Sequence, residues 1–473
     1  MNRKLLVLSL FGAIVCSFTP SFASYIDQIT DQSAEWIGNP TRTAATDSVD
    51  CVTYNPAGTV KMLDGLHVHF SNQTIDNNNT TAVKSDTYMG QKRYDTHKPS
   101  KYVPSLYVNY KKDDWAAYAG LHIIGGGGST FWANGSPNLN LAVQTVDSKF
   151  GWGSSGTKNV YWDSSTPSAY GANVSVDMLS MFPALTIGGA YRVNDMMTVS
   201  LGGRVIEGSQ TIELKVTKSG LGSGFEKTTV YDGKWTATGY MGIIGVNVQP
   251  ASNLNLAMTF ESMSKMNWKV DVNEDLSVAT PAFGGEQALS SMSGYTDGRK
   301  FRFDLPAKLM LGAEYVVTPE FKVALSGLVY FPNWGTYEKP TKSTSIIEEG
   351  AYKQNLIKYD FDTAWELGVG FDWQFLKNIH WTGGVNYDRM NVKDEYLSEI
   401  LNKIDLWNVG TGIKIRTEEN LNLMVSYMHN FYITASNNAT KQPTATPGVY
   451  TYHKTEYSKY ANVISFSIEY KFL

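Results

Sequence analysis

Two stretches near residue 70 carry residue types that could bind a metal ion. His67 and His69 share one face of a strand, a spacing that zinc could use, but no cysteine or carboxylate stands at ligand spacing from them. Asp76 begins a segment like a calcium loop, yet Thr81 occupies the position that needs glycine and Thr87 the position that needs glutamate. We therefore predict no metal and no cofactor, and interpret the histidine pair as incidental.

Catalytic motifs are absent from the sequence. No G-x-S-x-G, H-E-x-x-H or Walker pattern occurs, so the sequence does not predict an enzyme or any catalytic residue. The 40 Lys and Arg residues nearly balance the 44 Asp and Glu residues, which gives a net charge of −4 without a long basic block. A nucleic acid is therefore not an expected partner.

The N-terminus has the composition of a secretory signal peptide. Two basic residues precede the apolar run Leu5–Phe18, and small residues occupy both cleavage-determining positions before residue 24. We predict that residues 1–23 are removed and that the chain is exported. Cys16 would be lost with them, so Cys51 would remain as the single cysteine and no intramolecular disulfide could form.

Alternation of apolar and polar residues dominates the rest of the chain. It is strict in Leu309–Tyr315 and Trp365–Trp373, and about fourteen such segments follow Gly65. The links between them alternate between short turns and long polar stretches, the longest at about 126–180. This pattern is typical of outer-membrane barrels with periplasmic turns and extracellular loops. We predict an all-β fold in the bacterial outer membrane: a transmembrane antiparallel β-barrel of about 14 strands over residues 65–473, surrounded by outer-membrane lipid.

Side-chain parity indicates which face of each strand meets lipid. In Trp365–Trp373 the apolar residues fall on one face, and Glu366 and Asp372 fall on the other. Lys414 and Arg416 likewise lie opposite an apolar face. In the segment from 301 to 315 the same rule places these residues against lipid: Phe301, Phe303, Leu305, Ala307, Leu309 and Leu311.

A turn rich in proline and glycine precedes the barrel and resembles a known motif. Asn55-Pro56-Ala57, followed by Met62-Leu63-Asp64-Gly65, is similar to the plug segment of the FadL family of outer-membrane transporters of long-chain fatty acids and hydrocarbons. The likeness extends to Phe303–Ala307 and Val425–His429 and covers nearly the whole predicted mature chain. It implies that residues 24–64 form a hatch inside the barrel, with Asn55, Pro56, Ala57 and Gly58 as its plug motif.

The resemblance also implies a function. Members of the family pass hydrophobic molecules and release them sideways into the membrane, through a gap made by an inward kink of the third strand. We therefore expect passive uptake of long-chain fatty acids or similar hydrophobic molecules by a monomeric protein. Two alternatives stay open from the sequence alone: an open porin for polar solutes, and a surface adhesin that acts through loops such as 126–180.

The glycine run at the expected end of the third strand has two interpretations. Gly125, Gly126, Gly127 and Gly128 could simply begin a flexible loop. They could also form the kink beside the gap, because residues without a Cβ weaken strand pairing and permit bulges.

Basic residues that could bind a substrate carboxylate are less well marked. The family implies a basic residue shortly after the middle of strand five, where this chain has Gly208-Ser209-Gln210 instead. Arg204, Lys339 and Lys342 are possible substitutes. The simpler interpretation is that they form lumenal ion pairs with Glu207, Glu314 or Glu366.

Overall fold

A closed antiparallel barrel forms the body of the protein. The computed structural model describes residues 33–87, 92–137, 172–218, 228–275, 277–280, 285–288, 295–340, 347–348, 351–352, 356–399, 401–417, 420–443 and 450–472. The predicted signal peptide and Lys342 lie outside these residues. No helix in the described part of the chain is long and apolar enough to cross a membrane.

Fourteen strands, β1 to β14, each pair with their neighbours in the chain, and β14 pairs with β1 from Leu66–Phe472 to Val83–Thr455. The closure leaves no free barrel edge, as a membrane requires. In chain order the strands are Gly65–Val83, Ser100–Lys112, Trp115–Trp132, Ala172–Arg192, Met197–Lys218, Thr228–Ala251, Leu254–Glu261 with Asn267–Asp275, Lys300–Arg302 with Ala307–Thr318, Phe321–Phe331, Ala364–Leu376, Ile379–Arg389, Leu406–Arg416, Leu421–Tyr432 and Tyr450–Phe472.

Shorter elements surround or enter this barrel. Among the described residues two α-helices precede β1, α1 at Ala34–Gly38 and α2 at Cys51–Tyr54, and 3-10 helices occur at Pro56–Lys61, Pro332–Trp334 and Asp394–Tyr396. The described accessory strands are Arg93–His97, Ser277–Thr280, Gly285–Ala288, Glu338–Pro340, Ile347–Glu348, Ala351–Tyr352, Leu356–Lys358 and Ala435–Pro443.

Several strands are about twice as long as the membrane requires. About ten tilted residues span the hydrocarbon region, whereas β4, β5 and β6 contain 21, 22 and 24 residues. The expectation of a loop over about 126–180 is therefore wrong at both ends, because β3 continues to Trp132 and β4 begins at Ala172. Pairing between these strands continues past Glu207, where the outward face of β5 is already polar.

The predicted parity is confirmed in most of the wall and wrong in one segment. On β10, Leu367 is 60% exposed and Glu366 only 1%. Phe301, Phe303, Leu305 and Ala307, however, are buried and not lipid-facing. The side chain of Asp304 accepts hydrogen bonds from the backbone N–H groups of Met266 and Thr336, which interrupts β8 and shifts its alternation before Leu309.

The register of β9 predicts how depth affects an introduced charge. Leu325 is 57% exposed in the middle of β9, whereas Val317 is 50% exposed beside the turn to β9. We expect Leu325→Arg to reduce the free energy of unfolding in lipid vesicles by about 2–4 kcal/mol, and the matched Val317→Arg by about 0–1 kcal/mol. Equal losses in a denaturant titration would contradict the assignment of Leu325 to the lipid-facing mid-strand.

Candidate functional site

The described part of the hatch, residues 33–64, lies inside the barrel and contacts its wall on several sides. Ser426 donates to the backbone oxygen of Ala34, and Thr43 donates to that of Leu311. Thr198 donates to the oxygen of Ala57. These wall residues come from β13, β8 and β5, so the hatch is held across the width of the barrel.

The plug motif is a compact turn docked against β6. Asn55 is fully buried, and its side-chain amide donates to the backbone oxygen of Ala45 and to Asn247 at 2.8 Å. Pro56 begins the following 3-10 helix, where a residue without an N–H is well tolerated. A side chain at Gly58 would lie 2.6 Å from the Asn55 amide, so glycine is required for this close approach.

Asp47 of the hatch is surrounded by four basic side chains. Asp47 forms ion pairs with Arg42 at 2.7 Å, Lys414 at 2.9 Å, Arg416 at 3.0 Å and Lys322 at 3.7 Å. Burial alone would raise the pKa of this carboxyl, but the surrounding positive charges outweigh burial and hold the pKa well below its usual range. Because three of the four partners belong to β9 and β12, this cluster, the Asp47 node, ties the hatch to the wall.

A second set of polar contacts joins the hatch to β1 and β14. Glu35 pairs with His69 at 2.9 Å and accepts a hydrogen bond from Ser467. On the same side, Glu469 accepts hydrogen bonds from the Ser48 hydroxyl and from the Val49 N–H. His69 is thus engaged with the hatch, and no group of three metal-ligating side chains occurs among the described residues.

Large apolar side chains fill the barrel interior on the side of the long loops. This lumenal apolar cluster includes the buried Phe301, Phe303 and Leu305 that the parity rule had placed outside. Its aromatic rings pack closely, with centroids 5.7 Å apart for Phe182–Trp268 and 5.2 Å apart for Trp235–Tyr295. Such an interior favours an apolar solute over water by about 0.8 kcal/mol per buried methylene.

Arg204 is buried in the wall and bound to an acidic residue that the sequence had not indicated. It forms an ion pair with Glu261 at 2.7 Å and donates to Thr186, while Lys308 pairs with the same Glu261 oxygen at 3.2 Å. The interpretation of Arg204 as a member of a lumenal ion pair agrees with this contact. Its partner, however, is Glu261 and none of the three carboxylates named from the sequence. Lys339 lies apart, in the accessory strand that pairs with Leu356–Lys358.

Alternation alone could not identify Glu261 as the partner of Arg204. Glu207, one of the named candidates, instead accepts hydrogen bonds from Thr238 on an exposed part of the wall. Glu314 pairs with Lys322. Alternation along a strand predicts that a residue faces the lumen. It does not predict which residue of another strand lies opposite.

The ladder between β2 and β3 ends before either strand does. Described pairs run from Lys112–Trp115 to Leu106–Leu121 and stop there. We call the diverging parts, residues 100–105 of β2 and 122–132 of β3, the seam. On its other side β3 remains paired with β4 as far as Trp132–Val176, so the seam affects one edge of β3 only.

The glycine run lies within β3 and not at its end. The β3–β4 register shifts on both sides of Gly126, which has a left-handed φ of 72°. A Cβ at this position would lie 2.2 Å from the backbone oxygen of Ser180. Glycine is therefore required by backbone geometry at the bulge, and the bulge lies on the strand that borders the seam.

A cavity of about 150 Å³ connects the seam with the interior. Val103 and Ile123 line it from the two sides of the seam, together with Gly125 and Gly126. Trp132 and Met178 line it and also belong to the lumenal apolar cluster. The cavity thus adjoins both the lumenal apolar cluster and the seam, and its lining includes polar as well as apolar residues.

Comparison with known proteins gives one family and a set of solved structures. The family described as "Outer membrane protein transport protein (OMPP1/FadL/TodX)" matches residues 14–472. A Pseudomonas aeruginosa FadL homologue is similar at 12% identity over 95% of this chain and 100% of its own, with a TM-score of 0.66. The Pseudomonas putida toluene transporter TodX is similar at 13% identity over 93% and 99%, with a TM-score of 0.56. The Ralstonia pickettii toluene transporter TbuX is similar at 12% over 92% and 99%, with a TM-score of 0.55. No curated protein sequence matches the chain.

The Asp47 node predicts how tightly the hatch is held. Cys51 is fully buried in the hatch, so the reaction rate of its thiol with a water-soluble maleimide reports hatch opening. We expect Asp47→Asn to remove the ion pairs of the hatch with Lys322, Lys414 and Arg416, and to raise this rate at least about tenfold. Asp195→Asn is the matched control, because Asp195 is exposed in the turn between β4 and β5 and lies outside the hatch.

The pH dependence of labelling has a defined sign. The pKa of Asp47 is lower in the folded protein than in the unfolded chain. Its charge therefore stabilises the docked hatch fully above about pH 4, and this contribution is lost only in stronger acid. The ratio of the labelling rates of the Asp47→Asn and unmodified proteins, in which thiol ionisation cancels, should therefore stay constant from pH 8 to about pH 5. An Asp47→Asn protein that labels at the unmodified rate would show that the node does not retain the hatch.

Proposed function

Because the chain belongs to the OMPP1/FadL/TodX family of outer membrane transport proteins, we propose that it takes up long-chain fatty acids or similar hydrophobic molecules and releases them sideways through the seam. The family is one of transporters of hydrophobic compounds in the bacterial outer membrane, not of enzymes. Two similar solved structures are those of toluene transporters, whose cargo is also apolar.

The observation that carries the proposal is the position of the seam. It borders the cavity that adjoins the lumenal apolar cluster, and it begins beside Leu121, which is 55% exposed on the outer face. Leu185, the partner of Leu121 on β4, is 42% exposed. A molecule that leaves the cavity between β2 and β3 would therefore meet the lipid-facing surface directly.

The hatch gives a physical reason for a sideways path. Below the apolar cluster the interior is occupied by ion pairs and hydrogen-bonded polar groups, including the Asp47 node. An apolar chain that displaced these contacts would leave buried polar groups unpaired, at about 1–3 kcal/mol each. It would also enter the aqueous periplasm at about 0.8 kcal/mol per methylene. Exit into the membrane avoids both free-energy costs.

The same arrangement argues against an open porin. An open porin for polar solutes needs a continuous aqueous lumen, whereas the described hatch contacts the wall at β1, β5, β6, β8, β12, β13 and β14. An adhesin would depend on the loop between β3 and β4, of which residues 138–171 lie outside the described part. The barrel closes through its own β1–β14 ladder, which supports a monomer as the working unit.

A reversible cross-link across the seam tests the proposal. Extending the register from Leu106–Leu121 would place Val103 opposite Ile124. In a Cys51→Ala background we expect Val103→Cys with Ile124→Cys to abolish uptake of radiolabelled oleate when oxidised, and to restore it on reduction. The geometry of a disulfide requires the two strands to close up at that point.

The control is a disulfide between two strands whose ladder is already paired at that position. Leu121→Cys with Leu185→Cys links β3 to β4 within an existing ladder, so its oxidation should leave uptake unchanged. Complete cross-linking of the seam without loss of oleate uptake would rule out lateral release by this route.

A further inference from the structure

A charged contact crosses the seam near its extracellular end. The Lys98 ammonium group, just before β2, donates to the two carboxylate oxygens of Asp177 at 2.7 and 2.6 Å. Asp177 belongs to β4, where its partner on β3 is Phe131. Since β3 lies between β2 and β4 in the barrel, a contact from Lys98 to Asp177 passes over the extracellular part of β3. We call this ion pair the clasp.

The clasp lies on the outer face of the barrel, beyond the level of the hydrocarbon. Val176 and Met178, which flank Asp177 in the chain, belong to the lumenal apolar cluster, so alternation directs Asp177 outward. The residue opposite Asp177 on β5 is Glu213, so the outer face is polar at this level. The side chains of Lys98 and Asp177 are 41% and 37% exposed, and the clasp therefore meets water.

The chain on both sides of the clasp lysine is fastened to β1. The accessory strand Arg93–His97 pairs with β1 along its whole length, and His97 contacts Asp76 of β1 at 2.7 Å. At the start of β2, Thr74 of β1 donates to the backbone oxygen of Lys101 at 2.9 Å. Backbone pairing therefore fixes this part of the chain on the β1 side of the seam.

The side of the same chain that faces β3 is held less firmly. The Arg93–His97 strand lies beside β3, yet no ladder joins the two among the described residues. The clasp is thus a side-chain contact at a boundary without described backbone pairing. Exposed ion pairs contribute little to stability and are screened by salt, so the clasp can break and re-form while the β1 side stays in place.

The clasp and the end of the β2–β3 ladder enclose the seam between them. The ladder ends at Leu106 and Leu121, and at most about 26 Å of extended chain separates Leu106 from Lys98. Val103 and Ile123, which line the cavity from the two sides of the seam, lie between these limits. The seam is therefore bounded by backbone pairing at its membrane end and by the clasp at its extracellular end.

We propose that the clasp closes the extracellular end of the seam, so that the cavity communicates with the membrane while the clasp is intact and also with external water when it is broken. Lys98 and Asp177 are positioning residues: they hold the Arg93–His97 strand against β3 and touch no transported molecule. Because the seam is taken as the exit, this proposal rests on the proposed function. It adds the two residues that determine where the exit ends.

The accessibility of a cysteine in the seam tests the proposal on the purified protein in lipid nanodiscs. In a Cys51→Ala background, Val103→Cys places a thiol at a position that is 5% exposed, and its reaction rate with a polyethylene glycol maleimide is measured. We expect Lys98→Met and Asp177→Asn each to raise this rate about two- to fivefold at low salt. Raising the NaCl concentration from about 0.05 M to about 1 M should raise the rate of the protein with an intact clasp, but not that of either variant.

Charge reversal separates a broken clasp from a general loss of packing. Lys98→Asp places a second carboxylate beside Asp177, so it should raise the rate more than Lys98→Met does. Lys98→Asp with Asp177→Lys restores the attraction in the opposite sense. We expect this double variant to label within about twofold of the protein with the original pair.

Two controls isolate the seam. Lys269→Met removes a similarly exposed lysine whose partner, Asp271, lies on the same strand, and it should not change the rate at Val103→Cys. Ala116→Cys is a second reporter, 3% exposed on β3 where both edges of the strand are paired. Its rate should be the same with and without the clasp.

Three outcomes would overturn the clasp. In the first, folded Lys98→Met and Asp177→Asn proteins label Val103→Cys at the original rate. In the second, the rates at Val103→Cys and Ala116→Cys rise equally, so that the whole barrel has loosened. In the third, the charge-reversed pair labels as fast as Lys98→Asp alone. The labelling uses no transported molecule, whereas the seam cross-link measures oleate uptake, so failure of the clasp and failure of lateral release are distinguishable.

Discussion

The attraction between Asp47 and the cations around it is the constraint on which the rest of the interior depends. Lys414, Arg416 and Lys322 project from the wall into the barrel, where the wall carboxylates Glu314 and Asp372 offset only part of their charge. Asp47 adds its negative charge to this cluster only if the hatch is docked. The node therefore favours the docked hatch, which lies across the barrel axis.

The docked hatch explains two features on its extracellular side, the lumenal apolar cluster and the seam. The lumenal apolar cluster would be an ill-suited lining for a water-filled pore, yet it suits a compartment that ends at the hatch and, as we propose, opens at the side. The bulge at Gly126 and the early end of the β2–β3 ladder at Leu106–Leu121 place a break between neighbouring barrel strands next to that compartment. The Asp47 node, the lumenal apolar cluster and the seam thus lie next to one another, with the cluster between the hatch and the long loops.

Much of this arrangement could be predicted from the sequence, because local alternation determines which side of a strand faces lipid. The lumenal face of Lys414 and Arg416 followed from their neighbours. Their partner did not, since Asp47 and Lys414 are 367 residues apart and no local pattern pairs them. Phe301, Phe303 and Leu305 were assigned to the wrong side for a related reason: one buried carboxylate, Asp304, interrupts the strand through contacts with distant backbone. The register of a strand and the point where its ladder ends depend on the neighbouring strand, so they could not be predicted from the sequence of one segment.

The most direct test of the account is the steady ion conductance of the purified protein in planar lipid bilayers. If the Asp47 node holds the hatch across the barrel, the intact protein conducts little or no current, and deletion of residues 24–64 produces a large and stable conductance through the polar interior. A large steady conductance through the intact, folded protein would contradict the account, because it would show that the docked hatch does not close the barrel axis.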